Sequence, residues 1–206
     1  MKKDDVTCIA PDPRQHAEEL FDLLGKVFSH NGYFAFRDRC RHDYVLHSHY
    51  DWQVSRVAVA GGRIVAHFGV WDYLMRIGSA VVRTGGIGAV ATHGDFRGRG
   101  LMARTAAESL RAMRDVGYDM TVLFGIPDFY HRFGYVPAWP AETWRVAVDD
   151  LPGGAPRMRA FTPAHRADLA ALYNRQNTAL TGTAMRPTYP RARRERQGRL
   201  WLGAGG

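Results

Sequence analysis

The first third of the chain alternates apolar and polar positions in a way that predicts a strand followed by an amphipathic helix. The stretch VTCIA at residues 6–10 has the short, β-branched character of a strand. Residues 13–28 then repeat an apolar side chain every three or four positions, at Ala17, Leu20, Leu24 and Val27. A second helix is predicted over roughly residues 37–50. The chain therefore begins with helices that cover a sheet.

The middle of the chain predicts an antiparallel hairpin and a further strand. Two β-prone runs between residues 52 and 75 flank Gly61-Gly62, a pair that is typical of a tight hairpin turn. Residues 79–92 are also β-prone but rich in glycine, which within a strand marks a bulge or the close approach of another group. The loop HGDFRGRG, residues 93–100, follows directly.

After this loop the pattern changes to a helical period. Apolar positions predict a helix that ends before Gly117, at Met102, Ala106, Leu110 and Met113. We then expect a strand at residues 118–124, a single helical turn at 128–133 and a strand at 143–148.

A Pro/Gly-rich break at residues 149–156 marks the predicted domain boundary. We divide the chain into residues 1–150, one complete domain, and residues 151–206, an appendage. The appendage contains a predicted helix at 164–177 and a short strand near its end.

Composition narrows the possible functions. With 206 residues, 46% of them hydrophobic, the chain can bury one core, which excludes a fibrous or disordered protein. The net charge of +8 comes almost entirely from arginine, whose planar group suits phosphate and carboxylate, so an anionic ligand and nucleic acid both fit. Two cysteines, no signal peptide and no long apolar segment predict a cytoplasmic protein without a membrane span.

The loop at residues 93–100 carries the most informative chemistry. A loop that opens a helix presents N–H groups without intrahelical partners, and the helix dipole attracts an anion there. Gly98 and Gly100 leave room for a bound phosphate, and Arg97 and Arg99 can add charge-assisted hydrogen bonds. An ordinary surface turn fits these residues as well.

Two other phosphate sites are disfavoured. A P-loop needs a lysine after its glycines, and no lysine follows Lys26. Gly86, Gly88 and Ala91 imitate a dinucleotide fingerprint, but strand and loop stand where its helix would begin.

Two segments together carry a family resemblance. HGDFRGRGLMA, followed about 30 residues later by GIPDFYHRFGY, resembles the acyl-CoA site of the GNAT superfamily of N-acetyltransferases, in the branch of the "enhanced intracellular survival" enzymes. The superfamily pattern, [Q/R]-x-x-G-x-[G/A], corresponds to residues 97–102. Met102 stands where a small residue is usual, and Gly94 where many relatives have proline.

The resemblance implies a mixed α/β (α+β) GNAT fold with a central sheet splayed between strands 4 and 5. It implies acetyl-CoA as acyl donor and cosubstrate, transfer to a primary amine by direct attack in a ternary complex, and no metal. It assigns the pantetheine arm to the backbone of Val90, Ala91 and Thr92, with Gly125 and Ile126 at the end of the fifth strand. The motif places the diphosphate against Arg97, Gly98, Arg99, Gly100, Leu101, Met102 and Ala103.

The resemblance also makes Tyr130 the general acid. A thiolate leaving group has a pKa of about 8.5, while tyrosine lies near 10. Tyr130 is therefore expected to donate a hydrogen bond as charge builds on sulfur. A core tyrosine in a helical turn is the ordinary alternative.

Other candidate residues are less specific. His67, His93, Asp72 and Glu142 are the possible general bases, although structural roles suit each of them. Phe28, Phe34, Trp71 and Asp72 are candidates for the amine pocket. A metal site would draw on Cys40, His42, Asp43, His47 and His49, but the predicted helix separates His47 from His49.

The appendage raises the remaining alternatives. Residues 157–206 resemble the start of a second, truncated GNAT-like domain that must pack on the first, pair with another subunit in a homo-oligomer, or stay loose. Catalysis could be impaired, which would leave a CoA-binding or oligomerising protein. Nucleic-acid binding is not favoured because no aromatic pattern accompanies the arginine run at Arg191, Arg193, Arg194, Arg196 and Arg199.

Overall fold

The computed structural model describes residues 6–46, 48–126, 128–139, 143, 145–150, 157–186 and 199–202. Its strands are β1 (Val6–Ile9), β2 (Arg56–Ala60), β3 (Arg63–Ile77), β4 (Ala80–Thr92), β5 (Met120–Val122), β6 (Arg157–Ala160), β7 (Thr183–Ala184) and β8 (Arg199–Leu202). Its helices are α1 (Ala17–Val27), α2 (Tyr33–Arg39), α3 (Leu101–Asp115) and α4 (Arg166–Gln176). Short helical turns include Gly94–Phe96 and Tyr130–Phe133.

The central sheet is mixed and mostly antiparallel. Its order is β1-β2-β3-β4-β5, with antiparallel neighbours up to β4 and with β5 parallel to β4. The long hairpin of β3 and β4 forms the middle of this sheet and pairs from Ala66 with Thr92 to Ile77 with Ala80. This architecture confirms the predicted α/β class.

Helices cover both faces of the sheet because β3 alternates its side chains between two apolar clusters. On one face, α1 buries Leu20 and Leu24 with Trp71 of β3. On the other, α3 buries Met113 with Phe68 and Val70. Two layers of helix thus fix the hairpin between them.

The sequence predicted most of these elements, and three predictions need correction. The second helix begins at Tyr33, and a π-helical segment extends it from Cys40 to Tyr44, so it lies earlier than residues 37–50. The fifth strand has three residues, because its pairing with β4 ends early. The strand expected at 143–148 is wrong for the described residues: 145–147 are irregular and Val148–Asp150 form a helical turn.

The segment after residue 156 contacts the far end of the hairpin. β7 pairs with Met75 and Arg76 of β3, and the Gly182 N–H donates to the Arg76 carbonyl at 2.7 Å. β6 and β8 form a separate two-stranded sheet, which confirms the short strand expected near the end of the chain. No helix in the described ranges is long and apolar enough to cross a membrane.

Candidate functional site

The loop between β4 and α3 has the backbone shape that its glycines suggested. Gly98 and Gly100 have φ angles of +73° and +74°, in the left-handed region that favours glycine. Apart from the glycine itself and its two chain neighbours, no described atom lies within 4 Å of the position that a Cβ would take on either residue. The loop is therefore open to a ligand at the two positions where side chains are absent.

The start of α3 presents free donors beside these glycines. Its first intrahelical bond runs from the Arg104 N–H to the Gly100 carbonyl at 3.1 Å, and glycine as N-cap offers no capping side chain. The N–H groups of Leu101, Met102 and Ala103 consequently precede the helical ladder, where the dipole is positive. Leu101 is buried and anchors the turn. This arrangement suits a diphosphate.

The two loop arginines differ. The Arg99 guanidinium donates to the Asp95 carbonyl at 2.7 Å and lies 4.7 Å from the centre of the Phe96 ring, so it is tied to its own loop. Arg97 is exposed, and its contact with the described residues is a long one, 3.5 Å, to the Thr92 carbonyl. Arg97 is the more readily available to an anion.

The edge of β4 that faces β5 is paired only at its beginning, and we use the word cleft for the unpaired edge from Ile87 to Thr92. The two strands pair over three positions, which end at Gly86 and Val122, while β4 continues to Thr92. The His93 N–H donates to the Val65 carbonyl on the β3 side at 2.8 Å. Because backbone groups alternate along a strand, those of Thr92 and Val90 face the cleft, whereas Ala91 faces β3. The early end of this pairing agrees with the splay that the resemblance implies.

A bulge interrupts β4 beside this cleft. The register passes from His67 opposite Ala91 to Gly69 opposite Gly88, and Ala89 takes a φ of +48°. His67 is fully buried below it, and its Nδ1 lies 2.7 Å from the Ala89 carbonyl oxygen. The Tyr50 hydroxyl lies 2.8 Å from His67 Nε2. Both ring nitrogens of His67 are thus engaged.

Tyr130 begins the helical turn that follows β5. A Cβ on Gly125 would lie 2.5 Å from the Tyr130 ring, so the glycine lets that ring lie directly on the backbone. Aromatic neighbours support the ring at 5.0 Å (Phe129) and 6.0 Å (Tyr135) between centroids. Burial raises the pKa of Tyr130, which keeps its hydroxyl protonated at neutral pH.

The four candidate bases have different surroundings. His67 is buried with both nitrogens bonded, and burial lowers its pKa to about 4. The Asp72 carboxylate is paired with Arg83 at 2.9 Å. His93 stands at the end of β4 and accepts a hydrogen bond from the Asp95 N–H at 3.4 Å. Glu142 lies outside the described residues.

The candidates for the amine pocket and the metal site do not form one cluster. Trp71 is buried in the core and donates to the Tyr44 carbonyl at 2.9 Å, whereas Phe34 is 80% exposed.

Within the described ranges, no three His, Cys, Asp or Glu side chains could hold a metal ion. His47 and residues 191–198 lie outside those ranges, and nothing is described of the Arg199 side chain.

Sequence reasoning missed the connection between His67 and the bulge. His67 was considered only as a base, and Tyr50 was not considered at all. The glycine-rich composition of residues 79–92 was the one available signal, since it indicated a bulge. It gave no information about which side chain supports that bulge.

Comparison with known proteins agrees with this geometry. The acetyltransferase (GNAT) domain family matches residues 13–138, more than half of the chain. The N-acetyltransferase Eis of Mycobacterium tuberculosis is 32% identical over 123 residues, which cover 53% of this chain and 30% of the relative. The chain thus spans about a third of the length of that enzyme.

Solved structures show the same fold. A probable N-acyltransferase from Enterococcus faecalis V583 aligns with a TM-score of 0.70 at 17% identity, over 98% of this chain and 53% of that one. The enzyme AAC(6')-Iy, bound to the bisubstrate analog CoA-S-monomethyl-acetylneamine, aligns with a TM-score of 0.54 at 13% identity, over 70% and 99%. Given the family match and this fold, the chain belongs to the GNAT family of acetyltransferases.

Proposed function

We propose that the protein is an acetyl-CoA-dependent N-acetyltransferase that transfers the acetyl group to a primary amine. One observation carries the proposal: β4, which loses its pairing with β5 after Gly86, leads at its end to the uncapped start of α3, and β5 leads to the helical turn that begins at Tyr130, whose hydroxyl stays protonated. An acyl thioester with a diphosphate at its other end needs both features.

The chain's own groups divide the binding of acetyl-CoA between them. The N–H groups from Gly98 to Ala103 would hold the diphosphate, with Arg97 adding charge. The backbone of Val90, Ala91 and Thr92 would bind the pantetheine arm. The cleft-facing groups of Val90 and Thr92 support this role, while Gly125 and Ile126 line the opposite side.

Tyr130 would donate a hydrogen bond to the departing sulfur. Its raised pKa makes complete proton transfer before bond cleavage unfavourable, because the thiol it would form is the stronger acid. Donation that strengthens as negative charge builds on sulfur avoids this cost.

Direct attack by the amine is supported by the state of the cysteines. Cys40 is fully buried, and burial raises the pKa of its thiol to about 12. Burial also raises the pKa of Cys8. An acyl-enzyme on cysteine needs a thiolate, and neither thiol forms one readily at neutral pH. This disfavours a cysteine intermediate and supports direct attack in a ternary complex of the protein, acetyl-CoA and amine.

The acceptor and the protein's setting are also proposals. An aminoglycoside is one acceptor class, since AAC(6')-Iy was solved with an acetylneamine adduct of CoA. Polyamines and protein lysines are the others.

We propose cytoplasmic residence, which agrees with the two free cysteines. We further propose that residues 1–150 form the acyl-CoA-binding unit and residues 151–206 a linker and the start of a second GNAT-like unit.

A pair of tyrosine variants tests the catalytic assignment. Removal of the Tyr130 hydroxyl in Tyr130→Phe should lower kcat by about 10²–10⁴-fold, the contribution typical of a general acid, with little change in acetyl-CoA affinity. Tyr135→Phe is the matched control, because Tyr135 lies 6.0 Å away and its hydroxyl bonds to Thr121.

The assay follows thiol release from acetyl-CoA with spermidine, neamine and a lysine peptide as acceptors. Equal losses in the two variants would contradict the role of Tyr130. Tight binding of acetyl-CoA with no turnover on any amine would instead favour a CoA-binding protein that does not catalyse transfer.

A further inference from the structure

His67 makes two hydrogen bonds in the core below the cleft, and they fix its chemical state. A carbonyl oxygen can only accept, so the 2.7 Å contact with Ala89 requires a hydrogen on Nδ1. Nε2 then accepts from the Tyr50 hydroxyl at 2.8 Å. His67 is therefore a neutral imidazole with its hydrogen on Nδ1, and burial favours the neutral form.

The Ala89 carbonyl belongs to a strained part of β4. A φ of +48° at a residue with a Cβ is unfavourable and persists only where the surroundings hold it. The surroundings here are tight: a Cβ on Gly69 would lie 2.6 Å from His67 Cε1 and 2.8 Å from the Gly88 carbonyl. The bond from His67 is directed at the strained residue itself.

This bond determines where the next N–H points. The peptide between Ala89 and Val90 is planar and trans, so its C=O and N–H point in opposite directions. With the Ala89 carbonyl drawn to His67, the Val90 N–H points away from His67. Among the described strands, the register with β3 leaves out Val90, and the pairing of β4 with β5 has already ended at Gly86.

We propose that His67 is a positioning residue for acyl transfer: it holds the Ala89 carbonyl so that the Val90 N–H faces the thioester carbonyl in the cleft. A fixed N–H at that point stabilises the negative charge that develops on the carbonyl oxygen during attack. The inference rests on the proposed acetyltransferase function and adds a residue that never touches substrate.

Two amide substitutions separate the two bonds of His67. In His67→Asn, the side-chain NH₂ replaces Nδ1 and can still donate to the Ala89 carbonyl. In His67→Gln, the longer amide reaches the Nε2 position and keeps only the Tyr50 contact. Both leave a polar amide in the same buried space, so they should lose similar stability. Tyr50→Phe removes the second bond alone.

The first readout is the carbonyl stretch of [1-¹³C]acetyl-CoA bound to each protein, measured by difference infrared spectroscopy. A hydrogen bond to the thioester oxygen lowers this frequency. We expect the lowered band in the wild type, His67→Asn and Tyr50→Phe, and a band near the free value in His67→Gln. We expect the Val90 amide ¹⁵N resonance of the ligand-free protein to move in His67→Gln and much less in His67→Asn.

Turnover supplies the second readout. We expect kcat in His67→Gln to fall by about 10- to 100-fold, somewhat less than for complete removal of an oxyanion donor, at unchanged acetyl-CoA affinity. Bands and rates that are the same in His67→Asn and His67→Gln would overturn the role of His67. Failure of the wild type to bind acetyl-CoA would instead overturn the proposed function, and with it the assignment of Val90 to a thioester.

Discussion

The helices α3 and α4 are held to the sheet by different means. α3 buries Leu101, Ala106 and Met113 against the strands, and Ser109 donates to the Val54 carbonyl at 2.7 Å. α4 buries none of its residues, and its contact with β3 runs through Asn174, which accepts from the Arg76 guanidinium at 3.3 Å. Only the helix fixed by an apolar face carries a candidate site, because a binding loop needs a rigid support.

The largest difference should appear when an apolar side chain is shortened on each helix. Met113, 1% exposed, contacts Phe68 and Val70 in the core, so Met113→Ala should cost about 2–5 kcal/mol of stability. Leu172 is 43% exposed, so Leu172→Ala should change the stability by no more than about 0.5 kcal/mol. Urea denaturation at pH 7 measures both, and equal losses would remove the distinction between the helices.

Acid should destabilise the central sheet through His67, which lies on the face that α1 covers and bonds to Tyr50 there. Its pKa is about 4 in the folded chain and about 6.5 when unfolded, so the unfolded state binds more protons between these values. Stability should therefore fall as pH drops from 6.5 to 4, by up to about 3 kcal/mol. His67→Asn cannot titrate and should lose this dependence. A wild-type curve that is parallel to that of His67→Asn would contradict a buried neutral His67.

The smallest effect is expected when the chain ends after residue 156. β7 pairs with Met75 of β3, which lies opposite Val82 of β4. Val82 is ten residues before Thr92 along β4, so β7 lies about 30 Å from the loop that follows Thr92. At this distance, and although Gly182 also lies against Trp139, acetyl-CoA affinity should stay within about twofold of the full chain. Isothermal titration of both chains checks this, provided that circular dichroism shows the shorter chain folded. A folded short chain with much weaker binding would show that α4 and β7 support the site.

Elements defined by local signals could be predicted from the sequence. The Gly61-Gly62 hairpin, the helix after Gly100 and its end at Gly117 follow from the period of apolar residues and from glycines at positive φ. The turn of the loop at Gly98 and Gly100, both at positive φ, follows for the same reason. Both depend on residues that are neighbours in the chain.

Features that depend on distant contacts could not be predicted. His67 takes its partners from 17 and 22 residues away, and those pairings exist only once the β-bulge has formed. Trp71 was a candidate for the amine pocket, but Tyr44 and Tyr50 enclose it in the core. The wrong prediction of a strand at residues 145–147 also reflects a missing distant contact, since β-prone residues form a strand only where a partner edge is present.

The most direct test of the account compares two glycines at opposite ends of α3. Gly100 and Gly117 have φ angles of +74° and +80°, and both have open space around the Cβ position, so Gly100→Ala and Gly117→Ala should lose similar stability. Calorimetric titration with acetyl-CoA should give one-to-one binding for the wild type and Gly117→Ala. Binding should be weakened about tenfold or more in Gly100→Ala, the equivalent of one charge-assisted hydrogen bond. Equal affinities in the two variants, or no binding by the folded wild type, would contradict a diphosphate site at the start of α3.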